Sequence, residues 1–511
     1  MIGTGEGRVN NAEVVALAYT ASITNKSLTV KVYYDDSPTG VGKTTRAITS
    51  LCRQPFKALF ITERKNAFDE LEGEVRRISA QLGIRPPLIR RVHSDPVNRG
   101  GSVVEEIESL PERYAGCSHL IVIATHAALL RSNFSDFAGW RIVIDEVPAF
   151  LDFEEKRTHL DASFFERHYA LEHVIGRWHA ITLTEAGHGI TAAEVRADQS
   201  HAHLGVFHAR VIEASRPGAK RVVLSNLADW QDMADRKVQW CWASVFSLRE
   251  LAAFDRVELL GNRFRSDIGS ILADWLEVEE VEWEALPSLT SARRFEHRPL
   301  TIHYFFDRPA SKSLFSSDQG QRALAAIGKH LAAVLPEEHS IWTANDTADT
   351  GAPTPKVLLG LPEKDYLTPR QAGTNRHIGV SHAAAIYSAK PSANLRGLLT
   401  ALNLDPAIWT RSVEFETILQ FVTRTSVRDP ANGTPVHLWV FDREQADYLK
   451  DYFDTLPHVA ATIGHVPLGV GLLPAAQGGR PVIVITPEEH ERRKADRRRL
   501  DAERKRRKRA A

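Results

Sequence analysis

The stretch DDSPTGVGKTTRAITS, residues 35–50, decides the fold because it carries most of the pattern of a phosphate-binding loop. That pattern is G-x-x-x-x-G-K-[ST], and Ser37 stands here at its first glycine position. The apolar run LTVKVYY (28–34) precedes the loop and predicts a strand, whereas RAITSLC follows it and predicts a helix. A strand before the loop and a helix after it form the context that phosphate binding requires, because the helix N-terminus supplies unpaired N–H groups.

The residues of this loop predict how a nucleotide binds. Gly40 and Gly42 let the backbone turn so that its amides point at phosphate oxygens. In such loops the lysine, here Lys43, reaches the β- and γ-phosphates, and the hydroxyl of the next residue, Thr44, binds Mg²⁺. We therefore expect ATP and Mg²⁺ as cofactors. The predicted nucleotide-binding residues are Thr39, Gly40, Val41, Gly42, Lys43, Thr44 and Thr45.

A pair of acidic residues in WRIVIDEVPAF (140–150) supplies the second half of such a site. Asp145 ends an apolar run, so we expect its carboxylate at the carboxyl edge of the sheet, holding Mg²⁺ through water. Glu146 is placed to polarise the attacking water. An isolated pair of this kind is often a helix cap. Following a phosphate loop by about 100 residues, it predicts hydrolysis of ATP or another nucleoside triphosphate.

Short apolar runs alternate with helix-like segments through the first 270 residues. These runs are β-branched and predict buried strands of a mainly parallel sheet. They lie at 28–34, 57–62, 119–125, 140–145, 220–225 and 254–260. A second series of the same kind begins near residue 298. The sequence therefore predicts two α/β domains with parallel sheets in tandem, at 1–270 and 271–486, followed by a tail at 487–511.

The segment 150–217 differs from its surroundings, since it holds many histidines and few strand signals. We predict that it is a mostly helical insertion in the first domain. His201 and His203 invite a zinc hypothesis, but no cysteine or paired carboxylate accompanies them, so a structural or loop role is favoured. The insertion is also a candidate surface for a protein partner.

Composition excludes several classes of protein. The three cysteines, Cys52, Cys117 and Cys241, are scattered, which argues against a disulfide framework and a cysteine-based zinc site. The sequence contains no run of about 18 apolar residues, so no membrane span is expected. The first residues lack the basic start and apolar core of a signal peptide. We expect a cytoplasmic protein, or one in the host cytoplasm if a virus or mobile element encodes it.

A net charge of zero conceals a strong asymmetry. Residues 491–511 hold 12 basic and 4 acidic side chains, a net of +8, so the remaining chain carries −8. A basic tail on an acidic body predicts an anionic partner for the tail, and nucleic acid is favoured. A targeting signal and an arm that docks on the acidic body remain alternatives.

Two of these motifs resemble those of superfamily 2 helicases. The loop S-P-T-G-V-G-K-T resembles their motif I, in which a small residue commonly replaces the first glycine, and DEVP (145–148) resembles their Asp-Glu box. The segment ILQFVTRTSVRDP (418–430) resembles motif VI, whose common form is Q-x-x-G-R-x-G-R. Gln420 and Arg424 have the family's spacing, and Arg428 falls one position late.

The resemblance implies catalytic roles for Glu146, Gln420, Arg424 and Arg428. On a helix the two arginines are four residues apart and share a face, so both could point across a cleft at a γ-phosphate. We favour Arg428 as the arginine finger, with Arg424 beside it. Without the first domain, two arginines on a solvated helix face would be the default interpretation.

Other segments match the family more loosely. ATHAAL (124–129) and HSIWTAND (339–346) lie where the family has a Thr-His segment and motif IV. CWASVF (241–246) lies where motif III is expected, with Ala243 and Ser244 in its signature. In AGTNRHIG (372–379) the residues that could sense phosphate are Thr374, Asn375 and Arg376, although a polar loop is about as consistent. The whole pattern resembles helicase-like proteins of phages and other mobile elements.

If the resemblance holds, two RecA-like domains enclose ATP and ratchet along DNA or RNA. Nucleic acid would be contacted through its phosphates by the inter-domain surface and the basic tail. A DNA-packaging ATPase of the terminase type is an alternative, which would need an acidic nuclease cluster from candidates such as Asp307, Asp346 and Asp442. A third hypothesis is a nucleotide-gated binding protein without strand-separating activity.

Overall fold

The polypeptide forms three β-sheets in the computed structural model. The model describes residues 29–94, 102–158, 161–216, 219, 221–227, 229–230, 238–276, 280–290, 297–347, 352–369 and 376–473. One sheet has seven strands and the other two have five each in this described part of the chain. All three sheets lie in the unit that ends at Val470.

The first sheet is entirely parallel and carries the phosphate loop. Its strands are β1 (Val30–Asp35), β2 (Lys57–Thr62), β3 (Leu88–Arg91), β4 (Leu120–Thr125), β5 (Trp140–Asp145), β11 (Arg256–Leu260) and β12 (Val281–Ala285). They lie in the order β12-β1-β11-β5-β2-β4-β3. The central strands are apolar on both faces because helices cover both; Leu59 and Ile61 enter one core, whereas Ala58 and Phe60 enter another.

The helices of this domain follow its strands, as the alternating pattern predicts. They are α1 (Lys43–Arg53), α2 (Phe68–Gln81), α3 (Val103–Glu108), α4 (Leu110–Arg113), α5 (His126–Leu129) and α10 (Ile268–Leu276). The sheet continues past the domain boundary predicted at residue 270, because β12 pairs along its length with β1. The first domain therefore ends after Ala285.

The segment after β5 differs from the prediction of a mostly helical insertion. It contains five antiparallel strands, in the order β6-β10-β9-β8-β7. These are β6 (Leu151–Thr158), β7 (Tyr169–Ile175), β8 (Trp178–Leu183), β9 (Val222–Ser225) and β10 (Val238–Val245). Four helices accompany them: α6 (Ala162–His168), α7 (Glu185–His188), α8 (Ala192–Ala197) and α9 (Gly205–Ala214). Edge strands such as β6, LDFEEKRT, are rich in charged residues and lack the apolar runs of buried parallel strands.

Two further predictions change with this sheet. The run at 220–225, predicted to lie in the parallel sheet, forms β9 of the antiparallel sheet. Ala243 and Ser244, predicted at the motif III position, lie in β10 of the same sheet. The strand that lies between β1 and β5 is instead β11, so its end at Leu260 lies beside Asp35 and Asp145.

The second domain repeats the parallel architecture. Its strands are β13 (Arg298–Phe306), β14 (Ser340–Ala344), β15 (His382–Ile386), β16 (Val436–Asp442) and β17 (Val459–His465), in the order β14-β15-β16-β13-β17. Its helices are α11 (Lys312–Ser316), α12 (Asp318–Val334), α13 (Pro355–Leu359), α14 (Ala393–Ala401), α15 (Ala407–Trp409), α16 (Glu416–Val422) and α17 (Arg443–Phe453). The predicted arrangement of two parallel-sheet, RecA-like domains in tandem is thereby confirmed.

The insertion packs against both parallel-sheet domains. One face of its sheet forms a core with α6, α8 and α9, including Phe165, Phe207 and Trp240. Its other face packs on α10 and on α14 of the second domain, where Cys241 and Ala243 share a core with Leu398. Polar contacts reinforce this junction, since Glu155 accepts hydrogen bonds from the side chains of Ser392 and Asn394. None of the described helices is long and apolar enough to cross a membrane.

Three histidines and a tryptophan stack on one face of the parallel sheet of the second domain. The ring centroids of His303 and Trp439 lie 4.8 Å apart, and those of His382 and His437 lie 5.1 Å apart. Burial, together with like charge from the neighbouring His437, His330 and His382, lowers the pKa of His303 to about 4. The folded state therefore favours the neutral imidazole.

This depressed pKa predicts that acid destabilises the second domain. The contribution of neutral His303 to the free energy of unfolding is fully present above the ordinary pKa of 6.5. This contribution is lost as the pH falls through about 4. His303→Phe keeps a ring in the stack but cannot be protonated, so it should flatten the loss of stability below pH 6.5. Urea unfolding from pH 7.5 to 4.5 checks this, with the exposed His188→Phe as control. Equal pH dependence in wild type and His303→Phe would contradict it.

Candidate nucleotide site between the two parallel sheets

The phosphate loop joins β1 to α1 and depends on two left-handed glycines. Gly40 has a φ of 76° and Gly42 a φ of 95°, a region that disfavours side chains with a Cβ. Gly42 is also the N-cap residue of α1. A Cβ at Gly40 would lie 3.0 Å from Cγ of Arg428, whereas one at Gly42 would meet no atom within 4 Å. Gly40 is therefore required both for its conformation and for the close approach of Arg428.

Ser37 has a structural role that the sequence pattern does not reveal. It is buried, and its backbone N–H donates to Oδ1 of Asp35 at 3.0 Å. Its hydroxyl accepts a hydrogen bond from the backbone N–H of Leu289 at 2.9 Å. The segment that leaves β12 is thereby attached to the base of the loop. A glycine at this position would provide no acceptor for Leu289.

The side chain of Lys43 folds back into the phosphate loop that precedes it. Its amine donates to the carbonyl oxygens of Ser37 and Pro38 at 2.6 and 2.9 Å. Loss of solvent lowers its pKa, and the negative charges of Asp35 and Asp145 oppose that shift. The loop thus holds an ammonium group beside its own left-handed amides, which suits an anion.

Thr44 and Asp145 meet at the carboxyl edge of the sheet, as predicted for a pair that binds Mg²⁺. The Thr44 hydroxyl donates to Oδ2 of Asp145 at 3.0 Å. Loss of solvent raises the pKa of Asp145 to about 6, and the hydrogen bond from Thr44 opposes that shift. The carbonyl of Asp145 is 2.9 Å from Nε2 of His126, which fixes the end of β5. These two oxygen donors fit Mg²⁺, which takes its other ligands from phosphates and water.

Glu146 follows Asp145 in a strained conformation. Its φ is 65°, one of three positive values among the described residues other than glycine. Its backbone N–H donates to the carbonyl of Leu260 at 2.8 Å, which holds the turn against β11. Burial and the nearby carboxylates of Glu63 and Asp145 raise the pKa of Glu146. A carboxylate of raised pKa at this edge can accept a proton from water.

The two arginines of the second domain face this carboxylate, but they do not share a helix as predicted. Helix α16 ends at Val422, Arg424 lies in the following turn, and Arg428 ends a short 3₁₀ helix, Ser426–Arg428. The turn nevertheless brings both guanidinium groups into electrostatic interaction with Glu146.

Arg424 is buried, and two of its guanidinium donors are unsatisfied within the described part of the chain. The residue is 2% exposed, and its Nε and Nη1 have no hydrogen-bond partner among the described residues. Loss of solvent lowers its pKa to about 10, and the charge of Glu146 opposes that shift. Buried donors of this kind are costly unless an acceptor reaches them. An oxyanion in the cleft would supply that acceptor.

The remaining predicted residues are placed less centrally. Thr45 donates to Glu74 on α2 at 3.1 Å, and Val41 is half-buried in the loop. Gln420 is half-buried on α16. Arg376 is exposed. Thr374, Asn375 and the basic tail (487–511) lie outside the described residues.

Four residues that the sequence did not indicate join the two domains at this cleft. The Tyr452 hydroxyl on α17 lies 3.1 Å from the backbone nitrogen of Thr39 and 3.0 Å from its Oγ1. Asn262, two residues after β11, donates to Oε1 of Glu416 at 3.1 Å. The Arg263 guanidinium lies 5.3 Å from the centre of the Tyr452 ring. In the sequence, Asn262 and Arg263 could have been singled out only because they follow the end of a predicted strand. Tyr452 and Glu416 have no such signal.

Two of the three acidic residues of the terminase alternative, Asp346 and Asp442, have structural partners. Asp442 is buried and accepts hydrogen bonds from the backbone N–H groups of Ala310 and Gln445. Asp346 lies 3.6 Å from the amine of Lys356. In the part of the chain that the structure describes, no three histidine, cysteine or acidic residues group so as to hold a metal ion. The structure gives the nuclease domain of that alternative no support.

Comparisons with solved structures found similarity at low sequence identity. No protein-family model and no curated protein matches the sequence. A solved structure titled XPD helicase aligns over 91% of this chain and 100% of its own at 11% identity, with a TM-score of 0.47. S. tokodaii Xpd4 aligns over 88% and 99% at 11% identity, with a TM-score of 0.39. S. cerevisiae Dbp5 bound to RNA and ADP BeF3 aligns over 90% and 94% at 10% identity, with a TM-score of 0.31.

These identities and TM-scores are too low to carry a functional conclusion. The proposal that follows therefore rests on the residues of this chain and on the distances between them.

The loop geometry predicts how strongly each of three alanine variants lowers the free energy of unfolding. Ser37→Ala loses one hydrogen bond to Leu289 and should cost about 1 kcal/mol of the free energy of unfolding. Gly42→Ala forces a Cβ into a left-handed conformation and should cost roughly 1–2 kcal/mol. Gly40→Ala has the same strain and also displaces Arg428, so it should cost the most. Urea unfolding measures all three, and a Gly40→Ala variant as stable as Ser37→Ala would contradict this order.

Proposed function

We propose that this protein is an ATP hydrolase of the superfamily 2 helicase type, which moves along nucleic acid. One observation carries the proposal. Arg424 and Arg428 of the second domain interact electrostatically with Glu146 of the first domain, and Arg428 also packs on Gly40 of the phosphate loop. Such an arrangement supports a nucleotide bound between two domains, since each domain holds one half of the chemistry.

The first domain has what MgATP binding requires. The left-handed Gly40 and Gly42 orient loop amides, and the amine of Lys43 can exchange loop carbonyls for the β- and γ-phosphates. Thr44 and Asp145 would hold Mg²⁺, directly and through water respectively. When bound, Mg²⁺ neutralises charge on the phosphate oxygens.

Hydrolysis needs an oriented water and cations around the transferred phosphoryl group. Glu146 supplies a carboxylate of raised pKa, to which the attacking water can donate. Arg428, packed against Gly40, is the proposed arginine finger, and Arg424 supplies its spare Nε and Nη1 donors beside it. Gln420 remains a candidate through the motif resemblance alone.

Movement follows if nucleotide binding closes this cleft and product release opens it. Contacts that cross the cleft directly at the phosphate loop, such as Tyr452 with Thr39, would form and break in each cycle. The DNA or RNA track would lie on the inter-domain surface and the basic tail and be held through its phosphates. The insertion is proposed as a surface for a protein partner.

Measured ATP hydrolysis, with and without single-stranded DNA, RNA and duplex, tests the proposal. Lys43→Ala, Glu146→Gln and Arg428→Ala should each lower kcat by about 10²–10³-fold, because each removes a group that acts on the transferred phosphate. Arg322→Ala changes an exposed arginine on α12 and should leave kcat unchanged.

The possible outcomes separate the competing hypotheses. A rate that nucleic acid leaves unchanged contradicts movement along a strand and favours the nucleotide-gated binding protein. Full activity in both Arg424→Ala and Arg428→Ala contradicts a site shared between the two domains.

A further inference from the structure

The 3₁₀ helix that carries Arg428 is fixed by an arginine outside every predicted motif. Arg298 is the first residue of β13 and is 0% exposed. Its Nε donates to the carbonyl of Thr434 at 2.9 Å, and its Nη2 donates to Oγ of Ser426 at 3.0 Å. Its Nη1 donates to the carbonyl of Ser426. One guanidinium thus binds both ends of the segment that connects α16 to β16.

This segment needs an external support. A 3₁₀ helix of three residues has little stability of its own, because nucleation fixes several dihedrals for one hydrogen bond. Apart from Arg298, the main anchor of Ser426 is its backbone N–H, which donates to the carbonyl of Val380 at 2.7 Å. Arg428 follows two residues later and packs on Gly40. Because Ser426 and Arg428 belong to the same short 3₁₀ helix, the position of Ser426 determines the position of the Arg428 guanidinium.

A fully buried arginine is costly unless its donors are satisfied in good geometry. The planar fork of Arg298 reaches three acceptors at once, which the single ammonium of a lysine cannot do. All three of these donors bind Ser426 and Thr434, so Arg298 acts on Arg428 through the turn that it holds.

We propose that Arg298 is a positioning residue for the proposed ATP hydrolysis, holding the Ser426–Arg428 turn so that Arg428 reaches the phosphate loop. This inference rests on the proposed function. It predicts an effect on kcat rather than on nucleotide affinity, since the loop and its lysine belong to the other domain.

A double-mutant cycle tests this role. Arg298→Lys should lower kcat for ATP about 10- to 100-fold, because a displacement of about 1 Å at the finger has that effect, while KM and ADP affinity change less than twofold. Ser426→Ala removes one acceptor and should act in the same direction with a smaller effect. In an Arg428→Ala background, Arg298→Lys should have no further effect on kcat.

Arg322→Lys makes the same chemical change at an exposed position and is the matched control. An equal loss of kcat from Arg298→Lys with and without Arg428 would overturn the proposal, because it would show a general structural role. If Arg298→Lys fails to fold, the cycle is run with Ser426→Ala and judged in the same way.

Hydrogen exchange gives a readout that does not depend on activity. Amides of residues 423–429 should lose protection in Arg298→Lys, whereas those of β13 and α17 should keep it. Unchanged protection of residues 423–429 would also overturn the proposal. A wild-type protein that hydrolyses no ATP would refute the proposed function, and hydrogen exchange would still decide whether Arg298 holds the turn.

Discussion

The electrostatic interaction of Arg424 and Arg428 with Glu146 across the cleft is the constraint on which the rest of the structure depends. Charges withdrawn from water are costly unless opposite charges stand close to them. The two sheets must therefore keep a set orientation, and the chain fixes it at several points. The Tyr452 hydroxyl contacts Thr39, and Asn262 binds Glu416, so the domains are joined on the loop itself and at the end of β11.

The antiparallel insertion adds a second connection between the domains. Its sheet begins and ends in the core of the first domain, where Phe150 and Phe246 stack. One face of the same sheet packs on α14 of the second domain. Any opening of the nucleotide cleft must therefore bend the insertion, slide it on α14 or carry it with one domain. The insertion thus constrains how the two parallel-sheet domains sit relative to one another.

Local patterns in the sequence were enough to predict the strand and helix on either side of the Ser37–Gly42 loop, the position of Asp145 and Glu146 at a strand end, and both parallel sheets. Each of these depends on a buried strand followed by a helix or a polar strand end, which a short window displays. The insertion was predicted wrongly because its edge strands are charged and half exposed. Arg424 and Arg428 were assigned to a helix, whereas a contact with distant Arg298 sets their turn. The roles of Tyr452 and Arg298 could not be predicted from the sequence. Only tertiary packing brings Tyr452 to the phosphate loop and Arg298 to the turn that carries Arg428.

A crystal structure with Mg²⁺ and a γ-phosphate mimic of ATP tests the shared site most directly. The expected result places the mimic within hydrogen-bonding distance of the Lys43 amine and of the Arg424 or Arg428 guanidinium, with Mg²⁺ beside Thr44. Lys43 should then have left the carbonyls of Ser37 and Pro38. A nucleotide bound to the first domain alone, with both arginines still turned to Glu146 and out of reach of its phosphates, would contradict the account.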